Sequence, residues 1–427
     1  MCSKIQTFTL PLILTQLLQL LVGQLTLMIA VNKSVNTIAG ITTVQGFLYA
    51  LAGILGAVAL AFNILGSEAV GAKDEARYQA LIKSSLILNL IVGLVSGVIV
   101  VLGGHLLLAL IYGFSGQLLN VATWYLVIQA PYILLILMTF LMTNLLKMQK
   151  KTQWILYVSV LTMGLNLGLN LLFVRCLSWG IIGASLASTS TLLFSVLSYG
   201  FVLRQSIAVA LTSRVSVIGE ILHKSFPLVS QEMLEGVILS VVFEALMARL
   251  GVRTLALYAI CAQAIAFVKM PTLMYGNAVT IFLAESKGSG RDKQDLPSIL
   301  GITLMSASIF YLVGVVLFSL FGRVYANLFV SQALAAQFQT AFRSVAALTV
   351  FSISYEVLKY SLQALGEASR VLKLTFIVNS VACLIMVSCQ LLNLSSFTFL
   401  YLVNGFALLL LSLRFGWQLH LKMGGVN

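Results

Sequence analysis

Long apolar runs recur along the chain, separated by short stretches that are polar, charged or glycine-bearing. They cover 8–31, 38–65, 86–109, 118–146, 155–174, 180–202, 226–248, 255–283, 299–320, 334–362, 372–392 and 397–413. A helix crosses ~30 Å of hydrocarbon with about 20 apolar residues, so each run predicts one membrane-spanning helix and the chain predicts twelve. The ~10-residue alternation of membrane β-strands is absent from these runs. The expected fold is an all-α polytopic membrane protein. The first run is too long for the apolar part of a signal peptide and no small-residue cleavage site follows it, so it reads as a first span.

The pattern repeats. PLILTQLLQLL from Pro11 resembles PLVSQEMLEGV from Pro227, an offset of 216. The glycine-led charged loop GAKDEARYQ from Gly71 resembles GSGRDKQD from Gly288, and NLLKMQKKTQ from Asn144 stands where SLQALGEASR from Ser361 does, both at an offset of 217. Internal duplication of this kind marks many transporters. It predicts an N-terminal six-helix lobe over 1–202, a cytoplasmic linker over 203–224 that is partly an amphipathic surface helix, and a C-terminal six-helix lobe over 225–427. Two bundles in the same orientation are related by an axis along the membrane normal and face a central cavity.

Composition agrees with this reading and adds an orientation. The chain is 60% hydrophobic and 9% charged, with a mean hydropathy of +1.05. In a soluble protein the net charge of +13 would suggest nucleic acid. Here most of the 25 Lys and Arg residues, among them Lys147, Lys150 and Lys151, fall in the polar segments on one side, the side that also holds both termini. The positive-inside rule makes that side cytoplasmic. Five cysteines without CxxC spacing read as small buried hydrophobes. The three histidines form no HExxH, no P-loop is present, and GASLAS has no positioned base, so the sequence points to no enzyme and to no metal or cofactor.

The candidate chemistry sits in the seventh run, FPLVSQEMLEGVILSVVFE, which carries three glutamates. A carboxylate at the bilayer centre costs ~2.5–3.5 kcal/mol on insertion scales. At ~1.5 Å per residue from Phe226, Glu232 lies ~9 Å deep, Glu235 ~13 Å and Glu244 ~27 Å. Helical phase puts Glu232, Glu235 and Gln231 on one stripe and turns Glu244 away. Glu235, helped by Glu232, is thus the candidate for coupling a cation or binding a cationic substrate. The alternative is a glutamate that only ties helices together. Lys269, mid-span and followed by Pro271, whose ring should break the helix, is a candidate charge partner for Glu235 at similar depth. Glu356 and Lys359, three apart near the end of the tenth run, read as an ordinary pair within one helix. Gln24, Thr26, Gln231, Tyr258, Met274 and Tyr275 are candidates for lining a substrate cavity, where the aromatic rings would stack on a flat cation.

Several of these stretches together resemble the multidrug and toxic compound extrusion (MATE) family of the larger flippase-like exporter superfamily. They are Pro11, GAKDEAR, LNLGLNLLF with Asn166 and Asn170, WGIIGASLAS, Pro227 with Glu235 eight residues on, MPTLMYGNAVTIFLAESKGSGR and LQALGEASR. The resemblance covers nearly the whole chain. It implies a secondary active antiporter of the bacterial inner membrane that acts as a monomer. Such a protein exports amphipathic or cationic organic compounds by alternating access, with H+ or Na+ as coupling ion. It also implies Glu235 as the coupling acid. Where family members often carry a first-span aspartate, Gly23 is followed here by Gln24, Leu25 and Thr26. That departure keeps open a flippase or exporter of a lipid-linked or peptide precursor.

Overall fold

A computed structural model describes residues 1–30, 35–112, 115–213, 216–327 and 332–424, with side chains at 24–30, 35–47, 49, 111–112, 117–118, 121, 180–181, 252 and 424 left undescribed. Among the described residues twelve helices are long and apolar enough to cross a membrane. Their outer faces carry large apolar side chains such as Leu102 and Leu110, 79% and 74% exposed, a pattern suited to lipid. The helices outrun the apolar sequence runs, because backbone hydrogen bonding continues past the hydrocarbon edge. The second, α2 (Val35–Gly71), ends beyond Glu68. The stretch 203–224 is divided between two helices: α7 (Gly180–Leu211) runs into it and α8 (Ile218–Glu232) begins within it. Pro271 does not break its helix, which continues unbroken from Val252 to Gly288.

The chain forms two compact units, Leu10–Val229 and Met1–Thr9 with Ser230–Asn427. In the first, α1 (Cys2–Ala30) from Leu10 onward and α2 are followed by α3 (Glu75–Tyr112), α4 (Gly116–Ile128), α5 (Pro131–Met148), α6 (Thr152–Asn170) and α7. Leu48, Val100, Leu108, Tyr125, Leu126, Ile133 and Leu137, drawn from α2 to α5, form its core. A polar ladder joins α6 to α7: Ser159 to Tyr199 at 3.3 Å, Thr162 to Ser195 at 3.0 Å and Asn166 to Thr191 at 3.4 Å. In lipid, such side-chain hydrogen bonds tie helices that have no hydrophobic reason to associate. The first turns of α3 hold the connection that follows α7: Lys83 Nζ donates to the Ser213 carbonyl at 2.6 Å, Ser84 Oγ accepts from the Val217 amide at 3.0 Å, and Arg77 pairs with Glu220 at 2.5 Å.

The second unit holds α9 (Ser240–Arg249), α10 (Val252–Gly288), α11 (Asp292–Asn327), α12 (Gln332–Thr349), α13 (Ser352–Ala364), α14 (Ala368–Leu391) and α15 (Phe397–Gly424). Here α10 packs on α11 and α13. The approach to α13 requires Gly276, where a Cβ would lie 2.4 Å from the Tyr360 ring. The N-terminal residues belong to this unit: Gln6 accepts from Tyr275 Oη at 2.5 Å and donates to Ser306 Oγ at 2.6 Å, and Phe8 meets Phe282 edge to face.

The duplication is also written in the backbone. After α2, the amides of Ala72, Lys73 and Asp74 turn back to the carbonyls of Glu68, Val70 and Ala69, and after α10 those of Ser289, Gly290 and Arg291 turn back to Glu285, Lys287 and Ser286. The same cap closes α5 at Lys150 and α13 at Gly366. Each cap needs one left-handed residue. The first half places lysine there, Lys73 at φ 57° and Lys150 at φ 58°, and the second half places glycine, Gly290 at φ 71° and Gly366 at φ 96°.

Candidate functional site

The buried charges of the second unit converge on one place. α8 ends at Glu232, and the chain continues as a π-helical segment, Met233–Leu239, before resuming as α9. Its wider turn is visible at Glu235, whose carbonyl accepts from Ser240 Oγ, five residues on, at 3.1 Å. Such segments re-aim side chains and recur at functional sites. This one carries Glu235 itself.

Glu235 is held from three directions. Gln231, one turn earlier, donates through Nε2 to Oε1, and Tyr355 of α13 donates its hydroxyl to the same oxygen. Lys359 of α13 reaches Oε2 at 2.9 Å. Lys359 also lies 2.8 Å from Glu356 Oε2, close enough for an ion pair although not aligned as a hydrogen bond. The ammonium therefore stands between two carboxylates. Its side chain is 5% exposed and those of Glu235 and Glu356 are 21% and 11% exposed. The rings of Tyr355 and Tyr360 flank it at 4.9 and 5.2 Å, an added cation–π contribution. Buried charges persist only when paired and hydrogen-bonded, and here the pairing is supplied across helices.

The Lys269 partnership expected from the sequence is corrected: the ammonium paired with Glu235 is that of Lys359. Lys269, half-buried on α10, makes no ion pair among the described residues, yet it lies within electrostatic reach of Glu356, Lys359 and Glu235. Glu356 and Lys359 are more than an ordinary pair of one helix, since they complete the cluster around Glu235. Glu232 is half-buried and near Lys359, Glu235 and Glu356, and its carboxylate makes no hydrogen bond or ion pair among the described residues. Glu244 is exposed, away from the cluster. Of the residues expected to line a cavity, Gln231 is buried beside Glu235, Met274 and Tyr275 are buried, and Tyr275 is engaged with Gln6. Tyr258 packs on Phe243 at 5.8 Å. The side chains of Gln24 and Thr26 lie outside the described residues.

The sequence reading missed the central role of Lys359. A depth count would have found it: from Ala364, the end of α13 on the Phe226 side, Glu356 is ~12 Å in and Lys359 ~8 Å at ~1.5 Å per residue. Glu235 is ~13 Å in by the same measure.

The comparisons with known proteins follow this architecture. The MatE family profile matches residues 11–172 and again 227–387, once per repeat and together more than half of the chain. A solved structure described as the outward-facing conformation of a multidrug resistance MATE family transporter of the MOP superfamily superposes with a TM-score of 0.87 at 17% identity, covering 98% of this chain and 96% of its own. A MOP superfamily transporter from Pyrococcus furiosus, whose description reports a binding pocket of reverse polarity and suggests a different function, superposes with a TM-score of 0.87 at 16% identity, covering 98% and 96%. A MATE protein in complex with MaL6 gives a TM-score of 0.87 at 16% identity over 99% and 96%. No curated protein matches the sequence. At these identities the structures speak for the fold, and the doubled profile match speaks for descent: the chain belongs to the MatE family, the multidrug and toxic compound extrusion transporters of the membrane.

Proposed function

We propose that this transporter is a secondary active antiporter that exports amphipathic or cationic organic compounds by alternating access, driven by a proton or sodium gradient. The observation that carries the reading is the buried, mixed-charge cluster around Glu235. A set of charges this costly within an apolar span belongs to ion or substrate passage far more often than to structure alone. The expected setting is a bacterial plasma membrane, with both termini cytoplasmic and the monomer as the working unit. The half-buried Tyr258 supports a wall of the substrate path built from aromatic faces.

A second reading, a flippase or exporter for a lipid-linked or peptide precursor, is favoured by one observation: Gln24, Leu25 and Thr26 follow Gly23 with no acid among them. Purified protein in proteoliposomes decides between the two. Efflux of ethidium or tetraphenylphosphonium that follows an imposed ion gradient, and is lost in Glu235→Gln, is the expected result. Gradient-linked flux that survives Glu235→Gln removes the site assignment, and no flux under any gradient turns the case to the precursor.

A further inference from the structure

Among the described residues, three carboxylates share the charged region of the second unit, Glu232, Glu235 and Glu356, and two ammonium groups answer them, Lys359 and Lys269. They are not equivalent. Lys359 sits between Glu235 and Glu356 at 2.9 and 2.8 Å, distances at which a bound cation would neutralise the same pair. A chain-borne ammonium held by two carboxylates, two flanking rings and near-complete burial cannot exchange with solution. The three carboxylates, fully ionised, exceed the two ammoniums by one negative charge. The group that carries the excess without a partner is Glu232, half-buried and bonded to nothing among the described residues.

One further atom belongs to this region. Gln231 is 2% exposed and spends its Nε2 on Glu235, while its Oε1 is buried with no donor among the described residues. A buried carbonyl oxygen left unpaired is costly, so this end of the cluster favours a bound donor.

We infer that Lys359 is a tethered cation occupying the position between Glu235 and Glu356, so that this unit does not take sodium, and that Glu232 is the position at which one proton exchanges for one positive charge of the substrate. The inference rests on the antiporter reading above and names the coupling ion for it. The exchange balances: the incoming monovalent cation neutralises the Glu232 carboxylate as its proton leaves to solvent, and Glu235, Glu356 and Lys359 keep their charges. The groups that face Glu232 and set this exchange are Glu235 on the π-helical segment, and Tyr360, Glu356 and Lys359 on α13. Lys269 on α10 acts on the same cluster.

The test reads binding first, so that it does not depend on transport. Equilibrium binding of radiolabelled sodium to the detergent-solubilised full chain is expected to be unsaturable in wild type. Lys359→Met, which frees the position, is expected to bind sodium saturably, and Lys359→Arg, which refills it, returns to the unsaturable behaviour of wild type. Saturable sodium binding by wild type that disappears in Glu235→Gln overturns the tethered-cation assignment, as does a monodisperse Lys359→Met that binds none. Proton release from weakly buffered protein on adding tetraphenylphosphonium tests the second part: about one proton per site from wild type and none from Glu232→Gln is expected. Unchanged release from Glu232→Gln overturns the exchange role. In proteoliposomes, flux that follows sodium but not pH would refute the inference while the antiporter reading stands. Absent flux would refute that reading, with the sodium measurement still judging Lys359.

Discussion

Lys359→Met should destabilise the second unit more than any single carboxylate change, and the geometry says by how much. Removing the ammonium leaves Glu235 and Glu356, 21% and 11% exposed, as two neighbouring buried carboxylates. Breaking a buried pair from one side costs ~3–5 kcal/mol. The low end applies here, about 3 kcal/mol, because Tyr355 and Gln231 still donate to Glu235 and charge-assisted bonds of that kind are worth ~1.5–3 kcal/mol each. Glu235→Gln leaves Lys359 its second partner, Glu356, so its cost should be nearer 1 kcal/mol, the worth of an ordinary net hydrogen bond. In the double variant one uncompensated charge is gone, so the loss should fall short of the sum of the singles by at least about 1 kcal/mol, a coupling typical of contacting residues. Thermal scans in sodium-free buffer read by tryptophan fluorescence follow this directly. At ~2–4 °C per kcal/mol for a unit of ~200 residues, Lys359→Met should lower Tm by roughly 6–12 °C. A Lys359→Met protein that melts with wild type, or a double variant whose loss equals the sum, would refute the three-membered cluster.

Other outcomes follow from the same geometry. Tyr355→Phe removes one hydroxyl donor from Glu235 and should cost ~1.5–3 kcal/mol in the same scans, with Glu235→Gln/Tyr355→Phe losing less than the two singles together. Gly276→Ala forces a methyl toward Tyr360 and should cost ~1–3 kcal/mol; an unshifted melt would show that the ring yields freely. Lys73→Gly and Lys150→Gly should each stabilise by up to ~1 kcal/mol, because lysine bears the left-handed cost of ~1–2 kcal/mol there, while Gly366→Ala at φ 96° should destabilise by a similar amount. Opposite signs in the two halves are the signature, and equal signs would refute it. Glu244→Gln, on an exposed position, should leave gradient-driven efflux unchanged within error.

Much of this was legible in the sequence, for identifiable reasons. Span number follows from the length of apolar runs, and the repeat from Pro11 and Pro227 at matching places, where both family matches begin. Glu235 could be singled out because depth and helical phase are arithmetic on one helix. What depends on two helices was not legible. Lys359 reaches Glu235 only because α13 turns a particular face toward the π-helical segment, and spans that are apolar on nearly every side carry little phase information to say so. The π segment has no sequence code comparable to a proline or a capping serine. Span ends were misplaced, as at Gly71 and Leu211, because hydropathy marks the hydrocarbon boundary and helices continue beyond it.

The assignment of Met1–Thr9 to the second unit has a consequence for how the protein is made. Those residues leave the ribosome well before the groups they bond, since Tyr275 and Ser306 follow Gln6 by 269 and 300 residues. The reverse holds at the second repeat, where residues up to Val229 pack with a unit already complete in sequence. Both helices change unit within two residues of a proline, Pro11 and Pro227. The N-terminal turns must therefore wait unpaired through insertion of the first six spans and then find their place. A chain cut between the repeats would yield two fragments, each holding a piece that belongs to the other, so the halves are expected to mature only together.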